Sequence, residues 1–170
     1  MYQVRHKTNS RVYAMKRISK SRYDPQKILR YVRSEKFILA ELRSPFLLSL
    51  KACFQTDKCF YLITPFAPLG DLSWFLHAKT GLPSEVAQQV CAEVVVALEH
   101  IHLAGFVYGD LKPENVLVDA EGHVLLADFG LSTSLADCQQ GFQSTDEFMA
   151  PEQLLGHSLD KAVDLWSLAI

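Results

Sequence analysis

Apolar and polar residues alternate over short stretches of this chain in the pattern of β-strands. Residues 12–18 (VYAMKRI) alternate in this way, which predicts one strand. The apolar runs at 46–54 and 59–66 predict a β-hairpin. Residues 116–118 and 124–127, which are joined by a DAEG turn, predict another. The pattern therefore predicts short strands that pair through tight connections.

Two longer stretches have the periodicity of amphipathic helices. The first begins at Asp24, a good N-cap residue, and continues with Pro25 at the first helical position. The second covers residues 84–104 and ends at Gly105, a residue type that commonly terminates helices. Spacings of four and three residues predict the buried face of the first helix, which consists of Ile28, Val32, Glu35, Leu39 and Leu42.

The order of these elements indicates the fold class. Most strands come first and helices follow, and the chain after residue 128 is predicted to be loop until a helix begins near Lys161. This order predicts an α+β protein with a small sheet lobe and a helical lobe. The length of 170 residues fits one ordinary domain or a piece of a larger one. A hydrophobic content of 49% with 21% charged residues excludes a disordered chain.

Charge and cysteine usage narrow the class of partners. The net charge of −2 gives no indication of a nucleic-acid partner. The first residues are too polar for a signal peptide, and no apolar run is long enough to predict a membrane span or a membrane partner. We expect a cytoplasmic or nuclear protein with reduced thiols, because no metal or disulfide spacing relates its cysteines, Cys53, Cys59, Cys91 and Cys138.

Two charged residues interrupt the apolar faces. Lys16 lies on the apolar face of its predicted strand, and Glu35 lies in the middle of the apolar face of the first helix. A buried charge without a partner costs several kcal/mol, so the simplest prediction is that these two residues pair. The alternative is that both lie at rims and extend their charged ends to water.

Polar residues around the second hairpin form a candidate reaction centre. Asn115 and Asp128 flank this hairpin, which returns the chain to its starting point, so their oxygen atoms can meet. Such oxygens suit Mg²⁺, which takes phosphate oxygens as further ligands. Asp110 could accept a proton or orient a hydroxyl, and Lys112 could neutralise a transferring phosphate. Taken singly, each of these motifs is also typical of an ordinary surface turn.

Six motifs follow one another along the chain, namely YAMK with Lys16, Glu35, YGDLKPEN, DFG at 128–130, APE at 150–152 and DLWS at 164–167. In this order and with these gaps, they resemble the motifs of a eukaryotic protein kinase. More narrowly, the chain is similar to the AGC group of serine/threonine kinases, with a lean towards the branch that phosphorylates ribosomal proteins. The stretches that carry this narrower similarity are SPFLLSLKACFQ, PFAPLGDL, AEVVVALEHIH and VYGDLKPENVLVDAEGHVLLADFGLS.

The resemblance implies roles for the candidate residues in phosphoryl transfer from ATP. Asp110 would orient the substrate hydroxyl and take its proton, while Lys112 would steady the γ-phosphate. Asn115 and Asp128 would hold Mg²⁺.

The nucleotide site implied by the resemblance lies between the lobes. Lys16, fixed by Glu35, would bind the α- and β-phosphates. The adenosine pocket would consist of Thr64 as gatekeeper, Phe66 and Ala67 in the hinge, Asp71 at the ribose, and Ala14 and Leu117 on either side of the adenine.

The resemblance also implies a partial kinase domain. Residues 1–66 would form the small lobe with its helix, and residues 67–170 the hinge and part of the helical lobe. The first strand and the glycine-rich loop of the family would precede Met1, and the chain would stop within the central helix of the helical lobe. We therefore expect either a serine/threonine kinase or, as an alternative, a truncated pseudokinase-like module that binds partners without turnover.

A basic peptide is the substrate class that the resemblance favours. Asp71 and Glu114 match acidic positions that meet arginines upstream of the target serine or threonine in basophilic relatives, and charge-assisted pairing makes this interaction favourable. Both could equally be solvated carboxylates. Gly109 stands where most of the family has an arginine that receives an activation-loop phosphate, and the usual phosphorylated position is also glycine, Gly141. We therefore expect no switching by phosphorylation at that position.

Overall fold

The fold is described from a computed structural model, which covers residues 1–21, 24–77, 81–137 and 146–170. Gly141, which occupies the position that is usually phosphorylated and for which we expect no such switching, lies outside these described residues. The strands are β1 (Tyr2–Arg5), β2 (Val12–Ser19), β3 (Ala52–Gln55), β4 (Cys59–Pro65), β5 (Phe106–Val107), β6 (Val116–Val118), β7 (Val124–Leu126) and β8 (Thr133–Ser134). The α-helices are α1 (Pro25–Glu41), α2 (Leu72–His77), α3 (Ser84–Leu103), α4 (Pro151–Leu154) and α5 (Ala162–Ala169).

The first four strands form one antiparallel sheet in the order β1-β2-β4-β3. The strand predicted at 12–18 is β2, and it pairs with β4 so that Ala14 lies opposite Thr64 and Lys16 opposite Leu62. β6 and β7 form the second predicted hairpin, while β5 pairs with β8. The predicted mixed α+β class, with a small antiparallel sheet and several helices, is confirmed.

Helix α1 begins as the sequence predicts. The Asp24 carboxylate accepts hydrogen bonds from the backbone N–H groups of Gln26 and Lys27 at 3.0 and 3.1 Å, which satisfies two donors that a helix start leaves open. The buried positions repeat at helical spacing, and they are Ile28, Val32, Glu35, Ile38 and Leu39. The helix therefore packs one apolar stripe, with a carboxylate in it, into the core.

Helix α3 ends where a glycine permits it. Gly105 adopts φ 82°, in the left-handed region that glycine enters without strain, directly after the C-cap residue Ala104. Val86, near the start of this helix, is exposed, whereas Val94, Leu98 and Ile101 are buried. No helix among the described residues is long and apolar enough to cross a membrane.

The prediction of a continuous strand over 46–54 is wrong. Only Ala52–Gln55 is a strand, because the preceding apolar residues bury their side chains in the core and bond elsewhere. The Leu48 N–H donates to Leu126 O at 3.0 Å, and the Leu50 N–H donates to Leu39 O at 2.7 Å. This segment therefore joins the end of α1 to the β6–β7 hairpin.

The prediction of loop between residues 128 and 161 is also wrong. A 3₁₀ turn at Phe129–Leu131, strand β8 and the short helix α4 all lie in this stretch. The predicted helix near Lys161 is present as α5. Helix α2 was not predicted: it has six residues and buries none of them, so it leaves no apolar stripe in the sequence.

A buried carboxylate joins α3 to the β6–β7 hairpin. Glu93 accepts hydrogen bonds from the Val124 N–H at 2.9 Å and from Gln89 at 2.9 Å, and one of its oxygens lies 2.7 Å from His123 Nδ1. The Glu93 carboxylate raises the pKa of His123 above its ordinary value. This pair therefore stabilises the fold when the imidazole is charged.

Replacing His123 by Gln is expected to destabilise the chain more at pH 6 than at pH 8.5. A histidine with a raised folded-state pKa contributes fully below its unfolded pKa of about 6.5, and the contribution is lost as pH rises through the folded value. Because His123 is exposed, the expected loss of melting temperature at pH 6 is only about one to three degrees. Thermal melts of the wild type and of His123→Gln between pH 6 and pH 8.5 measure this difference in melting temperature. A constant difference in melting temperature at every pH would contradict the prediction.

Candidate active site

Four polar side chains converge where β2, α1 and the turn after β7 meet. Lys16 Nζ lies 2.8 Å from Glu35 Oε1 and 2.7 Å from Asp128 Oδ1. It also donates to the Tyr31 hydroxyl at 2.8 Å, and that hydroxyl donates to Asp128 Oδ1 at 2.8 Å. The predicted Lys16–Glu35 pair is therefore present. Because only 3% of Glu35 is exposed, the alternative that both charges reach water at rims is wrong.

The charges of this cluster shift the pKa values of its members. Burial raises the pKa of Glu35 to about 7, and the Lys16 ammonium opposes this rise. Burial acts to lower the pKa of Lys16, but Glu35 and Asp128 outweigh it and raise the pKa above its ordinary value. Burial likewise acts to raise the pKa of Asp128, while Lys16 and the Tyr31 hydroxyl hold it below its usual range. Lys16 and Asp128 therefore stay charged at neutral pH.

A second group of polar side chains lies in the loop between β5 and β6. Asn115 Nδ2 donates to the Asp110 backbone oxygen at 2.8 Å and to Asp110 Oδ2 at 2.9 Å. Lys112 Nζ lies 2.9 Å from the same carboxylate oxygen. Asp110 and Asn115 are buried, and a 3₁₀ turn at Pro113–Asn115 brings the amide back to the carboxylate. The structure therefore brings three of the predicted site residues together.

The hairpin brings the backbones of its two flanks together, as the sequence predicts. The Ala127 N–H donates to Asn115 O at 2.9 Å. The side chains have separate partners, however, because Asn115 bonds to Asp110 and Asp128 bonds to Lys16 and Tyr31. The Asn115 amide oxygen takes no part in its two bonds to Asp110. Among the described residues, no cluster of three or more His, Cys, Asp or Glu side chains could hold a metal.

Asp164 in α5 anchors the backbone before Asp110. Asp164 Oδ2 accepts the Tyr108 N–H at 2.9 Å, and Oδ1 accepts the Gly109 N–H at 2.7 Å. His102 Nε2 lies 2.7 Å from Asp164 Oδ2. Gly109 adopts φ 78°, a left-handed conformation that suits glycine at this position. Asp164 therefore fixes the backbone that presents Asp110.

The residues predicted to contact adenine lie on both sides of the connection after β4. Ala14 and Thr64 face each other across β2 and β4, and Phe66 and Ala67 follow directly after β4. Leu117 in β6 forms a bridge with Asp71. The hydrogen bond from the Val118 N–H to Gly70 O, at 2.8 Å, holds the connection against the hairpin.

Asp71 has a structural role that its sequence position did not reveal. Its carboxylate accepts a hydrogen bond from the Ser73 hydroxyl and another from the Trp74 N–H at 3.3 Å. The side chain therefore caps the start of α2. Tyr31 is a member of the polar cluster around Lys16 that the sequence analysis did not predict. Its position four residues before Glu35 places both on one helix face, and this was the available signal.

These residues fit a nucleotide and a divalent metal. Thr64 Oγ1 and Glu35 Oε2 are buried and have no hydrogen-bond partner among the described residues, so the region around β4 and α1 contains polar atoms that a ligand can satisfy. Asp128 and Asn115 supply carboxylate and amide oxygens, the donors that hard divalent cations prefer.

Comparison with known proteins identifies the family. A family model described as "Protein kinase domain" matches residues 1–170. The chain is 42% identical to the serine/threonine-protein kinase SCH9 of Saccharomyces cerevisiae and 40% identical to the serine/threonine-protein kinase sck2 of Schizosaccharomyces pombe, in each case over 100% of this chain. It is 38% identical to the serine/threonine-protein kinase AtPK2/AtPK19 of Arabidopsis thaliana, again over its whole length.

The chain belongs to the protein kinase family. The relatives also confirm the predicted similarity to AGC-type serine/threonine kinases. The chain spans 21% of SCH9, 27% of sck2 and 36% of AtPK2/AtPK19. Family membership implies ATP and a divalent metal as cofactors.

Proposed function

We propose that this chain carries the reaction centre of a serine/threonine protein kinase, which transfers the γ-phosphate of ATP to a protein hydroxyl. The observation that carries the proposal is the buried Lys16–Glu35 ion pair at 2.8 Å. A charged pair in the core is costly unless its geometry and further hydrogen bonds compensate, and a nucleotide-binding lysine has a functional reason to be there. We assign residues 1–66 to the small lobe and residues 67–170 to the hinge and helical lobe.

The proposed roles follow from the two polar groups. Asp110 orients the substrate hydroxyl and accepts its proton, and Lys112, 2.9 Å from that carboxylate, stabilises charge on the transferring group. Lys16 binds phosphate oxygens, and Glu35 holds its ammonium in place. Bound Mg²⁺ supplies charge neutralisation on the phosphates. Asn115 and Asp128 would hold it.

The adenosine site is proposed at the connection between the lobes. Thr64 and Ala14 form its upper side, and Leu117 forms its lower side. The peptide backbone of Phe66 and Ala67 supplies hydrogen-bonding groups for the adenine edge. The backbone of Asp71 forms a bridge with Leu117, which lines the proposed adenine site, and this proximity supports a ribose contact.

The substrate is proposed to be a protein with basic residues before the target serine or threonine. Glu114 supports this, because it is exposed on the 3₁₀ turn that ends at Asn115. An exposed carboxylate close to Asp110 can pair with a substrate arginine. Asp71 supports it less strongly, because its carboxylate already caps α2.

Thermal melts of the full chain with Mg²⁺-ATP test the proposed nucleotide site. A ligand at 100 times its dissociation constant stabilises the folded state by about 2.7 kcal/mol, which raises the melting temperature by several degrees. We expect this rise in the wild type and its loss in Asp128→Asn. Asp57→Asn, an exposed carboxylate in the β3–β4 turn, is the matched control and should retain the rise. A folded wild-type chain whose melting temperature ignores Mg²⁺-ATP would instead favour a pseudokinase-like binding module.

A further inference from the structure

Tyr31 has no part in the roles proposed so far, although its hydroxyl lies at the centre of the site. The hydroxyl accepts a hydrogen bond from Lys16 Nζ and donates one to Asp128 Oδ1, both at 2.8 Å. Tyr31 lies one helical turn before Glu35, so the same face of α1 supplies both side chains. Lys16 is the proposed phosphate-binding residue and Asp128 a proposed metal-binding residue. Because the Tyr31 hydroxyl bonds to both, it competes with a ligand for each of them.

The hydrogen-bonding capacity of Lys16 is fully used in this arrangement. An ammonium group has three N–H donors. Its three acceptors are Tyr31 Oη and Glu35 Oε1 at 2.8 Å and Asp128 Oδ1 at 2.7 Å. Asp128 Oδ1 in turn accepts from both Lys16 and Tyr31. A phosphate oxygen that bonds to Lys16, or a cation that bonds to this oxygen of Asp128, must therefore displace an existing partner.

The Tyr31 hydroxyl is held in place by the packing of its ring. A Cβ atom built on Gly130 would overlap the ring, which means that the ring lies directly against the backbone of the 128–130 turn. Lys16 Nζ also lies 5.0 Å from the ring centroid, within cation–π range. Since glycine at 130 makes room for the ring, the contact between α1 and this turn is a built feature of the fold.

We propose that Tyr31 is a positioning residue that holds Lys16 and Asp128 together in the nucleotide-free protein and releases both when Mg²⁺-nucleotide binds. The inference rests on the proposed function. A contact that exists only in the free state stabilises that state alone, so it lowers the affinity for the ligand by the same free energy. The Tyr31 hydroxyl therefore opposes nucleotide binding, while Glu35, which keeps its bond to Lys16, supports it.

The test compares Tyr31→Phe with the wild type by two measurements. The variant keeps the ring against Gly130 and removes only the hydroxyl. Its nucleotide-free melting temperature should fall, and its dissociation constant for Mg²⁺-ATP, measured by calorimetry, should decrease by about fivefold or more, as the loss of a hydrogen bond worth about 1 kcal/mol predicts. Tyr61→Phe is the matched control. Tyr61 is a half-buried tyrosine on β4 that stacks on Phe54, and its replacement should leave the dissociation constant unchanged.

An unchanged or weaker affinity in Tyr31→Phe, with a lower melting temperature, would assign the hydroxyl a purely structural role and overturn the inference. The two possible failures are distinguishable. If the wild-type chain does not bind Mg²⁺-ATP, the proposed function is wrong, whereas if it binds and Tyr31→Phe binds no more tightly, only the inference about Tyr31 is wrong. If Tyr31→Phe does not fold, Tyr31→Met removes the hydroxyl with a flexible apolar side chain and is assessed by the same dissociation constant. Failure of both variants to fold would also overturn the inference.

Discussion

Asp110→Asn in the full chain is expected to lower kcat for phosphoryl transfer by about 10²–10⁴-fold, the usual contribution of a general base. The amide can still bond to Asn115 and Lys112, but it cannot accept a proton from the substrate. Among the described residues, the partners of Asp110 are Asn115 and Lys112. Neither belongs to the Lys16 cluster, which consists of Lys16, Tyr31, Glu35 and Asp128. The affinity for Mg²⁺-ATP should therefore stay within about twofold, since no charge of the Lys16 cluster changes.

Steady-state kinetics with a serine peptide, together with nucleotide calorimetry, measure both quantities. Asp57→Asn is again the control, because it removes an exposed carboxylate far along the chain from the site. A kcat within about tenfold of wild type would show that the Asp110 carboxylate serves mainly to order Asn115. A large loss of nucleotide affinity would show instead that the two polar groups act as one unit.

The first helix and its ion pair could be predicted because each rests on a local rule. Asp24 and Pro25 mark a helix start in any context, and the structure has the cap at that position. Lys16 and Glu35 each violate an apolar pattern, and the cost of burying an unpaired charge leaves few arrangements other than a pair. Departures from a pattern were therefore more informative than the pattern itself.

Segments whose backbone bonds to distant parts of the chain could not be predicted in the same way. Residues 46–51 are as apolar as a strand, but Leu48 and Leu50 bond to β7 and to the end of α1 rather than to a neighbouring strand. Hydrophobicity reports that side chains are buried and does not report where the backbone finds its partners. The short helix α2 could not be predicted for a different reason: it buries no residue, so it produces no hydrophobic periodicity.

Tyr31 shows a limit of a different kind. In the sequence it is an aromatic residue on a helix, and the residue it reaches lies 97 positions later. The contact depends on the missing side chain of Gly130, which lets the ring approach the backbone of the turn. The DFG sequence reveals a glycine that permits a turn, but only the structure shows which ring occupies the space beside it.

Helix α1 is the element that links these features. It carries Glu35 and Tyr31, and the Ser34 hydroxyl donates to Ser132 O at 2.5 Å just beyond the 3₁₀ turn at Phe129–Leu131. Helix α1 therefore contacts Lys16 through Glu35 and Asp128 through Tyr31. A shift of α1 would alter the proposed phosphate and metal ligands together, which gives the site a natural point of control.

Asp164→Ala is expected to produce the largest loss of stability among single substitutions in this region. The Asp164 carboxylate is 1% exposed and bonds to the N–H groups of Tyr108 and Gly109 and to His102. Removing it leaves buried donors without a partner, at a cost of about 3–5 kcal/mol. For a chain of this size, the melting temperature should fall by roughly 6–20 degrees.

Asp160→Ala is the matched control, because Asp160 also accepts a backbone N–H, that of Ala162, near the start of α5, but is exposed. Its loss should cost about 1 kcal/mol, the usual value of a helix-start hydrogen bond. The free energies of unfolding of the two variants, measured by denaturation, show whether the loss of stability comes from burial of the carboxylate or from its hydrogen bonds alone. Equal losses would contradict the anchoring role of Asp164. We expect a large loss of stability in Asp164→Ala and not in Asp160→Ala. We also expect a reduced kcat in the folded fraction of Asp164→Ala, because this carboxylate fixes the Tyr108–Gly109 backbone that presents Asp110.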